Sequence, residues 1–192
     1  MNKEKEIEKE KEIVEELVDK PMGDSDIKDI FPNAKIIMYN DLQKYNNIDE
    51  ILPNPKSYAI LLYLNSPNSG HWVGIMKPDK NTIEYFDSYG YPIDKPLSWI
   101  SQEQNQKLGI HDNYLTNLLK KSGYKIIHNT NKYQGNGGDI ATCGRHCCFR
   151  IQCMKNKNMS LQDYDRMMKN TKNKMNMGFD DLVTTMISPE LE

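Results

Sequence analysis

The chain has 192 residues, 38% hydrophobic and 27% charged, with a formal net charge of −2, a profile that fits a globular domain able to bury a full core. Its longest apolar run, Tyr58 to Leu64, is far too short to span a bilayer, and the near-neutral balance gives no footprint for nucleic acid. No secretory leader is expected, because charge begins at Lys3 with no apolar stretch ahead of a small-residue cleavage site.

Residues 1–20 carry eight acidic and five basic side chains. Ile7, Ile13, Val14, Leu17 and Val18 form a narrow apolar stripe there, which predicts a charged helical arm ended before Pro21. The arm reads as an interaction element or, more in keeping with its narrow stripe, as a mostly solvated helix that packs one edge on a second unit spanning 21–192 or frays. Lys35–Tyr39 and Ser57–Leu64 read as strands between Pro and Asn turn signals, with a short helix over 41–50 between them. A turn over 65–70 leads into strands at Trp72–Met76 and Thr82–Phe86, joined by a turn at 78–81. Residues 87–98, rich in Gly, Pro and Tyr, read as a loop. Helical material within 100–121, clearest over 112–121, stops at Ser122-Gly123. Tyr124–His128 is a short strand and 129–139 a polar, glycine-rich loop. Thr142 is placed to cap a helix running from Cys143 to about Met154. Helices over 160–170, capped by Ser160, and over 179–187 complete the chain. Strands gather in the first half and helices mainly in the second, which predicts an α+β fold around a single sheet.

All four cysteines lie between Cys143 and Cys153. A disulfide scaffold would spread them to close loops, so the crowding points to free thiols in a reducing compartment. A zinc site using His146 and these cysteines is disfavoured, because five ligands on one continuous helix cannot surround a tetrahedral ion. No metal and no cofactor are expected. Lys155, Lys157, Arg166, Lys169, Lys172 and Lys174 read as a solvated helical face.

Three sequence-distant places combine chemically. Cys143 opens a helix, where unpaired backbone N–H groups favour a thiolate, and Gly144 is expected to leave room for a substrate backbone. On local sequence alone, Cys143 could equally be a small buried hydrophobe. His71 starts one strand and Asp87 follows the next, sixteen residues on. If the two strands pair as a hairpin, the carboxylate lies beside the imidazole and leaves its other nitrogen to face the thiol. Without Cys143, a turn histidine and an exposed aspartate would be the better reading. Gln134 can donate an amide N–H to a developing oxyanion together with the Cys143 N–H, although a loop glutamine is ordinarily just solvated. Cys147, Cys148 and Cys153 read as core-facing residues, and His111 and His128 as structural or exposed.

The stretches Gly70-His71-Trp72-Val73, Tyr85-Phe86-Asp87-Ser88-Tyr89-Gly90, Gln134-Gly135 and Ala141-Thr142-Cys143-Gly144-Arg145-His146-Cys147-Cys148 resemble the adenovirus-type maturation proteases and the related ubiquitin-like-protein proteases. The paired cysteines after Cys-Gly lie closer to the adenovirus branch. Tyr39-Asn40-Asp41-Leu42 looks like homologues in virophages, large DNA viruses and virus-like transposons. The resemblance covers roughly residues 34–156. It implies a mixed central sheet flanked by helices, with Cys143 as nucleophile, His71 as base, Asp87 as orienter and Gln134 as oxyanion donor. It also implies cleavage near small residues such as glycine in capsid or other virion precursors, within the cytoplasm or virus factory of an infected cell or packaged in the virion. A monomer is expected. The sequence departs from the adenovirus pattern in three ways. Gln134 and Cys143 stand nine positions apart, about two more than in that branch. The orienting residue is Asp, as in the cellular branch. Tyr124 and Lys125 occupy the region where an activating peptide would be disulfide-linked, so a covalent activator is not expected, and the near-neutral charge of the body speaks against DNA activation. A deconjugating isopeptidase for ubiquitin-like modifiers and a non-enzymatic interaction module are the rival readings.

Overall fold

The computed structural model describes residues 2–66 and 69–188. Helix α1 (Asn2–Val18) leads through a turn and a short irregular segment to α2 (Asp24–Ile30) and strand β1 (Lys35–Met38). Strands β2 (Tyr58–Ser66), β3 (Ser69–Met76) and β4 (Thr82–Phe86) follow, then helices α3 (Gln102–Lys107) and α4 (Tyr114–Ser122) and strand β5 (Lys125–His128). Three helices close the chain: α5 (Cys143–Lys157), α6 (Leu161–Met175) and α7 (Phe179–Ile187). The fold is α+β, and its five strands lie in chain order, β1-β2-β3-β4-β5. The central pairs are antiparallel and the two outer pairs parallel, so the sheet is mixed.

Side chains alternate across the pleat and feed two cores. Ile60, Trp72, Met76 and Phe86 face Cys147, Ile151, Tyr164 and Leu182 of the C-terminal helices. Leu61, Tyr63, Val73, Ile75 and Tyr85 face Leu42, Ile48, Leu115 and Leu119. Covering both faces explains why β3 is buried from His71 to Met76 without a solvated face. One polar contact fixes α5 to the sheet. Arg150 Nε and Nη2 donate to the two carboxylate oxygens of Glu84 at 2.7 and 2.8 Å, and its Nη1 and Nη2 donate to the Met159 carbonyl. Both side chains are sealed from solvent, so the pair is viable only because its donors and acceptors are matched.

Three expectations need correction. The helix expected over 41–50 is instead two 3₁₀ turns, Tyr39–Lys44 and Ile48–Glu50. Asn47 breaks the run by capping the second: its Oδ1 accepts from Glu50 N–H, while Glu50 Oε1 accepts from Asn46 and Asn47 N–H. Leu42 and Ile48 still reach the core. The turn expected over 65–70 is shorter, because Asn65, Ser66, Ser69 and Gly70 belong to the strands; Pro67 and Asn68 lie outside the described residues. Helix α2 was not anticipated, since a single buried side chain, Ile27, gives it no readable period. The Ser160 cap is present, with its hydroxyl accepting from Asp163 N–H at 3.1 Å. None of the described helices is long and apolar enough to cross a membrane.

Candidate active site

The site forms where the sheet is locally incomplete. β3 pairs with β4 only over Gly74–Met76, and beyond Phe86 the chain leaves the sheet. The first turn of α5 docks at the vacated edge. Cys147 Sγ–H donates to the Trp72 carbonyl at 3.4 Å, and the Trp72 N–H donates to the Cys143 sulfur. Cys143 and Cys147 are one helical turn apart, so both sulfurs lie on one side of α5. Together they take the ladder groups of Trp72 that β4 no longer reaches.

His71 and Asp87 occupy the same face of β3 and β4 by parity of register, as diagonal neighbours. His71 Nε2 meets Asp87 Oδ2 at 3.2 Å. Asp87 is fully buried and built in on all sides: Oδ1 accepts from Tyr89 N–H at 2.7 Å, and the Asn129 side chain brackets its backbone, accepting from Asp87 N–H and donating to Asp87 C=O. The His71 ring stacks on Tyr89, centroids 5.3 Å apart, and meets Trp99 edge-on at the same distance. With Nε2 committed to Asp87, Nδ1 is the nitrogen left for Cys143, to which His71 is hydrogen-bonded.

Burial opposes charge on both members of this pair, and their mutual contact outweighs it. Burial pulls His71 down, but its hydrogen bonds to Asp87 and Cys143 raise it from 6.5 to about 9. Burial pushes the Cys143 thiol up, but the His71 hydrogen bond and charge, aided by the Trp72 and Gly144 N–H groups, hold it below its ordinary value. The two shifts are linked, because the charged form of each group favours the charged form of the other. Cys147, Cys148 and Cys153 are all raised by burial, Cys148 to about 12, and stay protonated in the core.

Gln134 lines the same cleft as Cys143 and His71, a space of about 940 Å³. Its Nε2 donates to the Ile140 carbonyl at 3.2 Å and its Oε1 accepts from Ser88 Oγ at 2.7 Å. A carbonyl can only accept, so this pairing fixes which way the amide faces and leaves one Nε2–H uncommitted. The helix expected to be capped by Thr142 begins as predicted, but the Thr142 hydroxyl makes no capping bond; it donates to Asp180 instead. The space beside Gly144 is not a substrate approach either. A Cβ there would lie 3.0 Å from Met22 Cβ and 3.3 Å from Trp72 Cδ1, so this chain already fills it.

Met22 belongs to the segment between α1 and α2, which straps the site. The carbonyls of Val18, Lys20 and Met22 accept from Ala141 N–H at 2.9 Å, Arg145 Nη1 at 2.7 Å and Trp72 Nε1 at 2.8 Å, respectively. Asp19, Pro21 and Met22 line the cleft, as do Tyr91 and Trp99. His71, Gln134 and Cys143 therefore meet at one cleft, with Asp87 buried behind His71. Sequence reasoning missed the supports: Ser88, Asn129 and Asp180. His146, weighed as a metal ligand, is fully buried against Asp180, and no group of side chains suited to a metal ion occurs among the described residues. His111 is exposed, and His128 Nδ1 meets the Asn129 carbonyl at 2.9 Å.

No family model matches the chain. Among solved structures, the central domain of the Lpg1148 protein from Legionella pneumophila aligns with 88% of this chain and 94% of its own at 22% identity, with a TM-score of 0.45. The "Uncharacterized protein V9" of Sputnik virophage is 36% identical over 131 residues, which are 68% of this chain and 74% of V9. At that identity and coverage, the chain belongs to the same protein family as virophage V9.

Proposed function

We propose that this chain is a viral cysteine endopeptidase with the fold of the adenovirus-type and ubiquitin-like-protein proteases, and that it processes capsid or other virion precursor proteins. The observation that carries the reading is the buried chain Asp87–His71–Cys143, with the sulfur at the mouth of α5 and opening into a cleft that Gln134 also lines. The kinship with a virophage protein supports the viral setting.

In this reading Cys143 rests as thiolate and His71 as imidazolium, with Asp87 fixing the ring. The sulfur attacks the scissile carbonyl carbon, and the carbonyl π-pair moves to oxygen. The free Gln134 Nε2–H and the Cys143 N–H stabilise that oxyanion. Collapse expels the amine, which takes the His71 proton, and leaves a thioester on Cys143. His71, now neutral, draws a proton from water; the hydroxide attacks the thioester, and the acid product leaves with the thiolate restored. The test is co-expression with a candidate capsid precursor and mass spectrometry of the new termini. Cleavage abolished by Cys143→Ala in a folded protein is expected. Cleavage retained by that variant refutes the assignment, and reaction with a C-terminally activated modifier probe in place of precursor cleavage reassigns it to deconjugation.

A further inference from the structure

Nine positions separate Gln134 from Cys143, and the residues between them form an irregular loop. Two donors at opposite ends of such a loop share an oxyanion only if the ends are held at a set separation, since an error near 1 Å costs about 100-fold in rate. A single carboxylate from the first turn of α7 makes the tie. Asp180 Oδ2 accepts from the N–H of Gly135, the residue after Gln134, at 2.9 Å. Its Oδ1 accepts from the hydroxyl of Thr142, the residue before Cys143, and from His146 Nε2 at 3.0 Å, one turn into α5.

A carboxylate only accepts, so the His146 proton sits on Nε2. Nδ1 has no hydrogen-bond partner, and burial favours the neutral form of this imidazole. The Gly135 backbone lies close enough that a Cβ there would meet Asp180 Oδ2 at 3.3 Å and Ile140 Cδ1 at 2.5 Å. Asp180 is absent from the cleft wall, so it acts through the loop and not on a substrate.

We propose that Asp180 is a positioning residue that staples the two ends of the 134–143 loop and thereby sets the separation of the Gln134 and Cys143 oxyanion donors; the inference rests on reading Cys143 as nucleophile. The staple acts on the oxyanion and not on the thiolate. His71 and Asp87 stand on the sheet and do not touch it. Loss of the staple therefore slows acyl transfer without changing thiol ionisation.

The experiment compares wild type with Asp180→Ala and Thr142→Val, using a fluorogenic peptide ending in Gly-Gly-aminomethylcoumarin, iodoacetamide, and amide exchange read by NMR. Alkylation by iodoacetamide forms no oxyanion and reports the thiolate alone. In Asp180→Ala, kcat should fall about 10–100-fold with KM within about threefold, because loss of an oxyanion donor itself costs about 100–1,000-fold. The alkylation pH profile should stay that of wild type, and exchange at Gly135 should rise at least about tenfold. Thr142→Val removes one arm, keeps the packing, and should give a smaller loss of the same kind if the alanine variant does not fold. A kcat within about threefold of wild type in both variants, or an alkylation profile that shifts in step with kcat, overturns the proposal. If wild type fails to turn over the peptide and its alkylation profile is that of an ordinary thiol, the peptidase reading fails. The staple is then judged by exchange alone, where unchanged protection at Gly135 in Asp180→Ala refutes it.

Discussion

Replacing His71 with alanine should convert Cys143 from a reactive to an unreactive thiol, and the size of the change follows from the site. Burial is the largest influence on both groups and opposes both charges, so the thiolate depends chiefly on the imidazole, which Asp87 and Cys143 hold charged. An ordinary cysteine, with a pKa of about 8.5, is roughly 1% ionised at pH 6.5. Without the imidazole, Cys143 keeps its burial and only two N–H groups, and should be ionised no more than that. A thiolate loses about 2.5–3-fold in intrinsic reactivity for each unit its pKa falls, against a tenfold gain in population, so ionisation wins. Iodoacetamide should therefore label wild type at pH 6.5 at least about tenfold faster than His71→Ala. The wild-type profile should show a second inflection near pH 9, where His71 loses its proton, and the variant should lack it. Cys143→Ala should show no fast labelling, because the other three thiols are buried and raised. Superimposable profiles for wild type and His71→Ala, each with one inflection near 8.5, would refute the reasoning.

Three further outcomes follow from the packing. Burial holds His146 below its ordinary 6.5, so on acidification the unfolded chain takes up a proton before the folded one does. Its contribution is complete above about pH 6.5 and is lost as pH falls, at up to about 1.4 kcal/mol per unit. His146→Phe should flatten the stability slope between pH 6.5 and 5 in urea titrations, and an unchanged slope would count against a neutral His146. Glu84→Gln leaves the sealed Arg150 charge without its partner and should cost about 3–5 kcal/mol in the same assay; a loss below about 1 kcal/mol would mean that Arg150 finds another anion or water. Gly144→Ala would ordinarily favour a helix by about 1 kcal/mol. Here the added methyl meets Met22 Cβ at 3.0 Å, and Met22 is held by the Trp72 Nε1 bond to its carbonyl. Overpacking of about 1–3 kcal/mol should prevail, so the variant should melt lower, and a higher melting temperature would show that the strap yields.

The strap changes how the N-terminal region is read. Sequence suggested a charged arm with one packed edge, and α1 does lay Leu17 into the body while most of its polar residues stay in solvent. The segment just beyond it is a structural part of the site. Its carbonyls at Lys20 and Met22, with that of Val18 at the end of α1, accept from Arg145, Trp72 and Ala141, respectively. The environment of Cys143 therefore depends on residues more than a hundred positions upstream.

Elements whose signals are local can be read directly from the residues. Runs of apolar, β-prone residues between turn signals place β2, β3 and β4, and the tight connection after Met76 makes β3 and β4 neighbours. That alone brings His71 and Asp87 onto one face of the sheet. Cys143 at a helix start was likewise legible from the glycine-rich loop before it. Contacts between distant pieces of the chain emerge only on folding. No pattern near Cys147 says that its thiol will satisfy a strand carbonyl, because that need arises only when β4 leaves the sheet at Phe86. Asp180 looks like any acidic residue in a first helical turn, where the dipole alone would favour it. Thr142 looks like a cap because the helix N–H groups are its nearest partners in sequence. In the fold a carboxylate stands closer, and a charged acceptor makes the stronger bond with the hydroxyl.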